Sequence, residues 1–345
     1  MKYLSFGDIH FGKKRNSILH NQDCIDYIIW MLDVAKEEGI KNIVFCGDWH
    51  DNPSEINTVT LNYSQAGLEL LDQCEWIDKV YFLVGNHDLA NRNNRDITSL
   101  PHTRPFEKIQ LINEPTKIGN ILFTPFLFKH EYDLLKDTTA KYVYGHFEFN
   151  GFVMAGGGYV MDNGADPRYY SKPDYIISGH FHARQVKINI IYQGSTFPMD
   201  FSDVGDVNRG CCILDTAKRG DNRIKFMNWE DGPSYVRCAL SELLENPDAY
   251  LKSKAYVECD VDISITYLES VELQKQLITD YDLRMFKTKD RIGTERDESI
   301  GQDVEIAENE EVQMNDTGTM VLNMLSDVKA ESINNDKLKD LFLRI

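Results

Sequence analysis

Five times before residue 183 a short apolar run meets a glycine and then a polar cluster. Tyr3–Phe6 leads into GDIH, Asn42–Cys46 into GDWHD, Val80–Val84 into GNHD, Lys141–Tyr144 into GHFEFNG, and Tyr175–Ser178 into GHFH. Such runs, with β-branched and aromatic side chains and a glycine stop, predict buried strands. Between some of them the spacing becomes helical. Residues 23–38 place Ile25, Ile28, Ile29, Leu32 and Ala35 on one stripe ending at Gly39, and residues 58–74 carry Leu61, Leu68, Leu70 and Leu71. Alternating strands and helices predict an α/β layer structure, in which ligands gather beyond the carboxyl ends of strands. The five polar clusters fall at those ends.

From about residue 188 the pattern turns β-rich, with NIIYQGS and RGCCILD. After Pro233 a new unit begins: AYVECDVDI (255–263) reads as a strand, Leu268–Ile278 as a helix and LRMFKTK (283–289) as a strand. Residues 295–316 hold nine acids and one base and lack periodicity, the signature of a solvated linker. Beyond them Val321, Met324, Leu325 and Val328 form one helical stripe, and Leu338, Leu341, Phe342 and Ile345 another. The expected organisation is a large domain over 1–232, a small α+β module over 233–292, an acidic linker over 293–318 and an amphipathic helical tail over 319–345.

Composition narrows the function classes. The net charge of −18 makes the chain a poor non-specific ligand for nucleic acid, so activity on DNA would need local basic loops, bound metal ions or a partner. No run of 18 apolar residues predicts a membrane span. The chain enters a strand directly after Met1, and its seven cysteines are scattered with no C-x-x-C pair. Reduced thiols in a cytoplasm are the expectation.

The clusters together offer Asp8, His10, Asp48, Asn86, His87, His146, His180 and His182. A lone Gly-Asn-His-Asp is an ordinary turn; five clusters, each after its own strand, are not. This mixed oxygen and nitrogen set suits Mn²⁺, Fe²⁺ or Zn²⁺. Eight groups exceed one tetrahedral ion and suffice for two ions sharing a bridge, about 4 Å apart as in two-metal phosphoryl displacement. Of the other histidines, His20, His102 and His130 are expected on the surface or in loops, and His50 is open between site and structure. Lys13, Lys14 and Arg15 follow the first cluster, and Arg92 and Arg95 the third. They read as cations holding phosphates beside the scissile one, or as solvated charges balancing an acidic surface. Gly156-Gly157-Gly158 is open between close backbone approach to substrate and a plain turn.

In this order, D-x-H, G-D-x-x-D, G-N-H-D, G-H and G-H-x-H resemble the motifs of the calcineurin-like metallophosphoesterases, over roughly residues 1–230. The resemblance implies an αββα sandwich of two mixed sheets flanked by helices. It implies that Asp8, His10, Asp48 and His182 hold one metal and Asp48, Asn86, His146 and His180 the other, with Asp48 bridging. His87 would be the acid or transition-state donor, oriented by Asp51. His50 stands where the family has an apolar pair. Within the superfamily, GHFEFNGF, the small capping module and the helical tail are similar to the nuclease subunit of SbcCD-type DNA-repair complexes, a group that includes phage recombination nucleases. That similarity implies a two-metal exo- or endonuclease, most simply with Mn²⁺, acting in double-strand-break processing and recombination. Its implied partners are DNA, a coiled-coil ATPase subunit bound through residues 319–345, and a second copy of the chain. The implied location is cytoplasmic, in the host if the source is a phage. The alternative is a phosphoesterase for small molecules or phosphoproteins. The protein-phosphatase signatures GDxVDRG and RGNHE are absent, since Asn52 follows Asp51 and Val84 precedes Gly85.

Overall fold

The computed structural model describes residues 1–91, 93–100, 105–154 and 158–290. Arg92, His102, Gly156, Gly157, the linker and the tail lie outside the described residues.

The predicted apolar runs are continuous because each strand is buried on both faces. One sheet has the order β12-β11-β1-β2-β3-β4, built from Ile224–Asn228, Gly210–Asp215, Lys2–Phe6, Asn42–Phe45, Lys79–Leu83 and Ile109–Ile112. The other runs β5-β6-β7-β8-β10-β9, from Thr116–Ile118, Ile121–Phe126, Tyr142–His146, Tyr175–Gly179, Ile190–Tyr192 and Gln185–Lys187. β1 to β4 are parallel, as are β6, β7, β8 and β10, while β11, β12, β5 and β9 pair antiparallel with their neighbours. Both sheets are therefore mixed, as the resemblance implied.

Alternate residues of each strand enter different cores, because side chains on a pleated strand point to opposite faces. Val44, Tyr81 and Leu83 of the first sheet join Ile121, Phe123, Tyr144 and Ile177 of the second in a core between the sheets. Their neighbours Ile43, Phe45, Val80 and Phe82 face outward onto the helices. Val143, Ile176 and Ile190 line the opposite outer core. Tyr81 stacks on Phe123 at 4.2 Å between ring centres, joining the two sheets, and burial of one such ring stabilises by about 1.5–3 kcal/mol.

The first long helix spans Ile18–Glu37, starting five residues before the predicted point because the Ser17 side chain caps it by accepting from His20 N. Its buried face is Cys24, Tyr27, Ile28, Met31, Leu32 and Ala35, and the expected Ile29 is exposed. The second spans Thr58–Gln73, capped by Asn57, with Leu68 and Leu71 buried and Leu61 exposed. Gly67 lets the two helices approach: a Cβ there would lie 2.9 Å from Ile28 Cδ1.

A third sheet, all parallel, orders β13 (Ser234–Ala239), β14 (Ala255–Val261) and β15 (Met285–Asp290) around its own apolar core, with the helix Tyr267–Tyr281. β13 was not foreseen. This unit is tied to the first long helix by Arg284 to the buried Asp23 at 2.7 Å and Lys254 to Asp26 at 2.6 Å. Tyr235 also donates to Met199 O at 2.7 Å. Among the described residues no helix is long and apolar enough to cross a membrane, and all seven cysteines are buried and free.

Arg95 corrects an expectation. It does not stand ready for phosphate: Nε donates to Asn113 O at 3.1 Å, Nη1 to Phe126 O at 2.8 Å, and the guanidinium pairs bidentately with Glu131 above the Phe128 ring. Both side chains are mostly buried, so losing one partner strands the other charge. Arg95→Met should cost roughly 3 kcal/mol, and adding Glu131→Leu should recover part of it. Urea unfolding of the single and double variants measures both, and an unchanged midpoint in the single variant would refute this account.

Candidate metal centre

The site lies where five parallel strands end on one side of the sandwich. β1, β2 and β3 run into Asp8 and His10, Asp48, and Asn86 with His87; β7 ends on His146, and β8 runs into His180 and His182. Four of these residues sit in the left-handed backbone region: Asp8 at φ 54°, His10 at 53°, Asp48 at 62° and His180 at 89°. Each such turn stores on the order of 1–3 kcal/mol of strain, which persists only where the surroundings over-determine it. Two glycines are fixed by crowding. A Cβ on Gly85 would lie 2.2 Å from Asp48 Oδ1, and one on Gly179 2.8 Å from Asp8 Oδ2.

Asp88 explains why a strand end carries a further carboxylate. Its Oδ1 accepts from Trp49 N and His50 N at 3.0 and 3.2 Å, and its Oδ2 from Asp48 N and Gly85 N at 3.0 and 2.9 Å. It fastens the loop after β3 to the loop after β2 and so fixes Asp48. Asp48 Oδ1 in turn accepts from His87 N at 2.9 Å.

Among the described residues, three groups have their ligand atoms within 4.8 Å of one another: Asp8, His10 and His182; Asp48, His146 and His180; and, sharing His10 with the first, His10, Asp51 and His87. His10 Nε2 faces His182 Nε2 at 3.2 Å. Asp48 Oδ2 lies 3.2 Å from His146 Nε2 and 4.0 Å from His10 Nε2, between the groups. Asn86 Oδ1 lies 2.9 Å from His146 Nε2 and 2.8 Å from His180 Nδ1. All seven expected ligand residues thus converge.

The hydrogen bonds behind the cluster aim lone pairs into it. His146 Nδ1 donates to Cys46 O at 2.7 Å, which commits Nε2 to the site. His180 Nε2 pairs with Glu148 Oε1 at 3.2 Å, which commits Nδ1. Such outer partners fix the tautomer of a metal-binding imidazole. Two ring lone pairs, the Asn86 oxygen and an Asp48 oxygen then point at one place, an arrangement only a cation or a trapped proton relieves.

Electrostatics agree. Burial, reinforced by Asp48, pushes Asp8 up to about 8. Burial would raise Asp48 too, but His146 holds it well below the ordinary range. Burial would lower His146, yet Asp48 outweighs it and lifts the imidazole to about 9. Burial drives His182 down to about 3 and His10 well below its usual value. His10 and His182 are thereby held neutral, as a divalent ion requires, whereas Asp8 and His146 hold protons that a bound ion would displace. The donor set fits such ions.

Four supporting residues escaped the sequence reading: Asp88, Glu148, His20 and Arg209. Glu148 stands two residues after His146 in GHFEFNG, a signal that was available. His20 was expected at the surface. It is buried because the helix begins at Ile18, and its Nε2 donates to His10 O at 2.9 Å. Buried Arg209 reaches Asp203 at 2.8 Å, Asp206 at 2.9 Å and the His182 carbonyl. His50 is structural, between Ser64 Oγ and Ser99 Oγ.

Asp51 differs from expectation in how it meets His87. The partner of His87 Nδ1 is the Asp51 main-chain oxygen, at 2.6 Å, whereas the carboxylate faces His10 Nδ1 at 3.4 Å and Lys13 Nζ at 3.6 Å. The loop turns the Asp51 side chain toward His10 and leaves its carbonyl to His87. Among the expected phosphate-gripping cations, Lys14 lies over the Tyr256 ring at 3.2 Å from its centre, so it braces the third sheet. Lys13 stays beside Asp51, and Arg15 is exposed.

A sandwich of two mixed sheets with this histidine and aspartate ledge defines a phosphoesterase, and the chain belongs to the calcineurin-like phosphoesterase family, which it matches over residues 1–184. It is a metal-dependent hydrolase acting on phosphoesters. It is 25% identical over 285 residues to "Exonuclease subunit 1" of Enterobacteria phage T4, covering 80% of this chain and 81% of that protein. Two solved structures are remotely similar. A Pseudomonas putida nuclease, MPE, matches with a TM-score of 0.29 at 15% identity over 54% of this chain and 64% of its own. A dimetal phosphatase from Danio rerio matches with a TM-score of 0.35 at 11% identity over 62% of this chain and 91% of its own.

The trapped protons give a pH signature. Asp8 and His146 hold protons more tightly folded than unfolded, where carboxyls and imidazoles titrate at about 4 and 6.5. Above about pH 7.5 the unfolded chain has shed nearly all of these protons, so raising the pH strips them from the folded protein alone and stability falls. His10, His20, His180 and His182 are nearly neutral in both states there. In EDTA the melting temperature should decline between about pH 7.5 and about 9. Added Mn²⁺ should oppose the decline, because ligands free of protons bind it better. A flat EDTA profile would mean that the cluster traps no protons.

Proposed function

We propose that the protein is a two-metal DNA nuclease that works with a coiled-coil ATPase partner in break processing and recombination. The observation that carries the reading is the convergence of seven ligand-type side chains from five strand ends into two groups around Asp48, with His87 alongside. In this reading Asp8, His10, Asp48 and His182 hold one ion, and Asp48, Asn86, His146 and His180 the other. The mixed oxygen and nitrogen donors favour Mn²⁺. Divalent ions there would supply Lewis acidity toward a phosphoryl oxygen and a more acidic water.

The chain's own residues do the rest. Because His87 Nδ1 donates to the Asp51 carbonyl, its Nε2 is the nitrogen left for substrate. As water attacks phosphorus and the phosphorus–oxygen ester bond breaks, a protonated Nε2 donates to the phosphate or to the departing deoxyribose oxygen. His87 N bonded to Asp48 Oδ1 holds that ring beside the ligands. Asp51, through its carbonyl, is a positioning residue. The similarity to a phage exonuclease subunit supports DNA as substrate and a multisubunit setting, and the tail at 319–345 is proposed as the partner's docking segment.

The purified chain with Mn²⁺ should cut plasmid or single-stranded DNA. Hydrolysis of bis(p-nitrophenyl) phosphate without any DNA cleavage would favour the small-molecule or phosphoprotein alternative. Asp48→Asn should weaken both ion sites and abolish activity. His87→Asn should retain both ions by calorimetry while turnover falls about 10²–10⁴-fold, the usual weight of a positioned acid; loss of an ion in that variant would refute the assignment.

Deleting residues 317–345 should spare cleavage of short single-stranded DNA and abolish co-purification with the ATPase subunit. Retained binding would place the partner elsewhere.

A further inference from the structure

Beside the metal centre is a cavity of about 220 Å³ that the chemistry above does not use. Its walls are the two loops that follow His10 and Asp48, with Ile56 as apolar surface, Arg15, Asp51, Asn52 and Glu55 as polar surface, and the fully buried Phe11 behind them. It shares Asp51 with the centre, whose carbonyl holds His87 and whose carboxylate lies 3.4 Å from His10 Nδ1. His10 and His87 meet edge to face, with ring centres 5.0 Å apart, and Asp51 contacts both of them and also lines the cavity.

The walls are braced in an unusual way. Lys14, Arg15 and Asn16, none of them glycine, stand consecutively at φ 55°, 57° and 64°, a left-handed turn that L-residues resist. It is held from outside. Asn16 Nδ2 donates to Glu55 O at 3.0 Å and Asn16 Oδ1 accepts from Asn57 N at 3.4 Å, tying the two walls together, while Lys14 lies over Tyr256. Asp51 N donates to Phe11 O at 2.9 Å behind the cavity. Strain maintained by so many contacts is a reason to look for function.

The lining selects the ligand. Two carboxylates against one guanidinium disfavour a second phosphate, yet carboxylate and amide oxygens accept from exocyclic amino groups. Ile56 and the planar Arg15 guanidinium suit a flat ring face. The volume is below the roughly 300 Å³ of typical small-molecule sites, which leaves room for one base and not for a base pair. Resting on the nuclease reading, we infer that this cavity is a subsite for a single unpaired nucleobase next to the scissile phosphate, favouring adenine or cytosine for their amino groups.

The test uses the full chain with Mn²⁺ and two single-stranded oligonucleotides of equal length, oligodeoxyadenylate and its fully abasic counterpart. Wild type should prefer the base-bearing strand by about tenfold in kcat/KM. Ile56→Trp, which fills the cavity, and Arg15→Ala should each bring that ratio close to one. A variant that merely misfolds would lower both rates and keep the ratio, so the ratio reads the subsite. Equal cleavage of the two strands by wild type, or a preference that survives both substitutions, overturns the subsite while the nuclease reading stands. Hydrolysis of bis(p-nitrophenyl) phosphate with neither strand cut overturns the nuclease reading, and the subsite with it.

Discussion

Asp8 and Asp48 are almost wholly shielded from solvent, and the Asp48 charge adds to the cost of ionising Asp8, with imidazoles as nearby balancing groups. Burying an unpaired carboxylate costs several kcal/mol, more than any single turn or cap in this fold returns. The features around the ledge follow from that constraint. Left-handed φ values at Asp8, His10, Asp48 and His180 aim donors inward, and the bare Cα atoms of Gly85 and Gly179 make room for them. Asp88 spends its whole carboxylate on four main-chain N–H groups so that Asp48 cannot retreat. A protein that did not need cations there would be more stable without this cluster, which argues that the cluster is maintained for chemistry.

The sandwich makes the constraint tolerable. Parallel strands deliver their carboxyl ends to one side, so two sheets sharing a core bring five such ends together without any long loop carrying a ligand. Strands buried on both faces also supply the rigidity that converging charges require. Tyr81 against Phe123 and Phe123 against Tyr144 stack across and along the sheets beneath the ledge, so displacing one ligand loop would open a close-packed core.

This is also why so much was legible in the sequence. Strand runs, glycine stops and ligand types are local signals, and each of the seven candidate ligand residues is the first or second strong polar group at the end of its strand. What escaped were residues whose meaning lies in a partner far along the chain. Arg95 looked like a free cation because Glu131 is 36 positions away. Lys14 looked the same until β14, absent from any local view, placed Tyr256 beneath it. His20 was misread because the N-cap at Ser17 moved the helix start, turning a loop histidine into a buried support for His10. Asp51 meets His87 through its main-chain oxygen while its carboxylate turns to His10, and sequence does not say which of a residue's oxygens faces a partner.

These reassignments bear on how an acidic chain could hold a polyanion. Of the cations that follow the ligand loops, Arg95 is committed to Glu131 and Lys14 to the third sheet, while Lys13 is partly neutralised by Asp51. Among the described residues a general basic surface is therefore a weak basis for the proposed DNA binding. Ions bound between Asp8, Asp48 and the imidazoles would provide the largest positive charge near the ledge, at the place where a phosphate must sit. In the proposed reading, affinity is concentrated at one phosphate, the flanking nucleoside is positioned by the braced cavity beside Asp51, and stronger grip along the backbone comes from a partner chain.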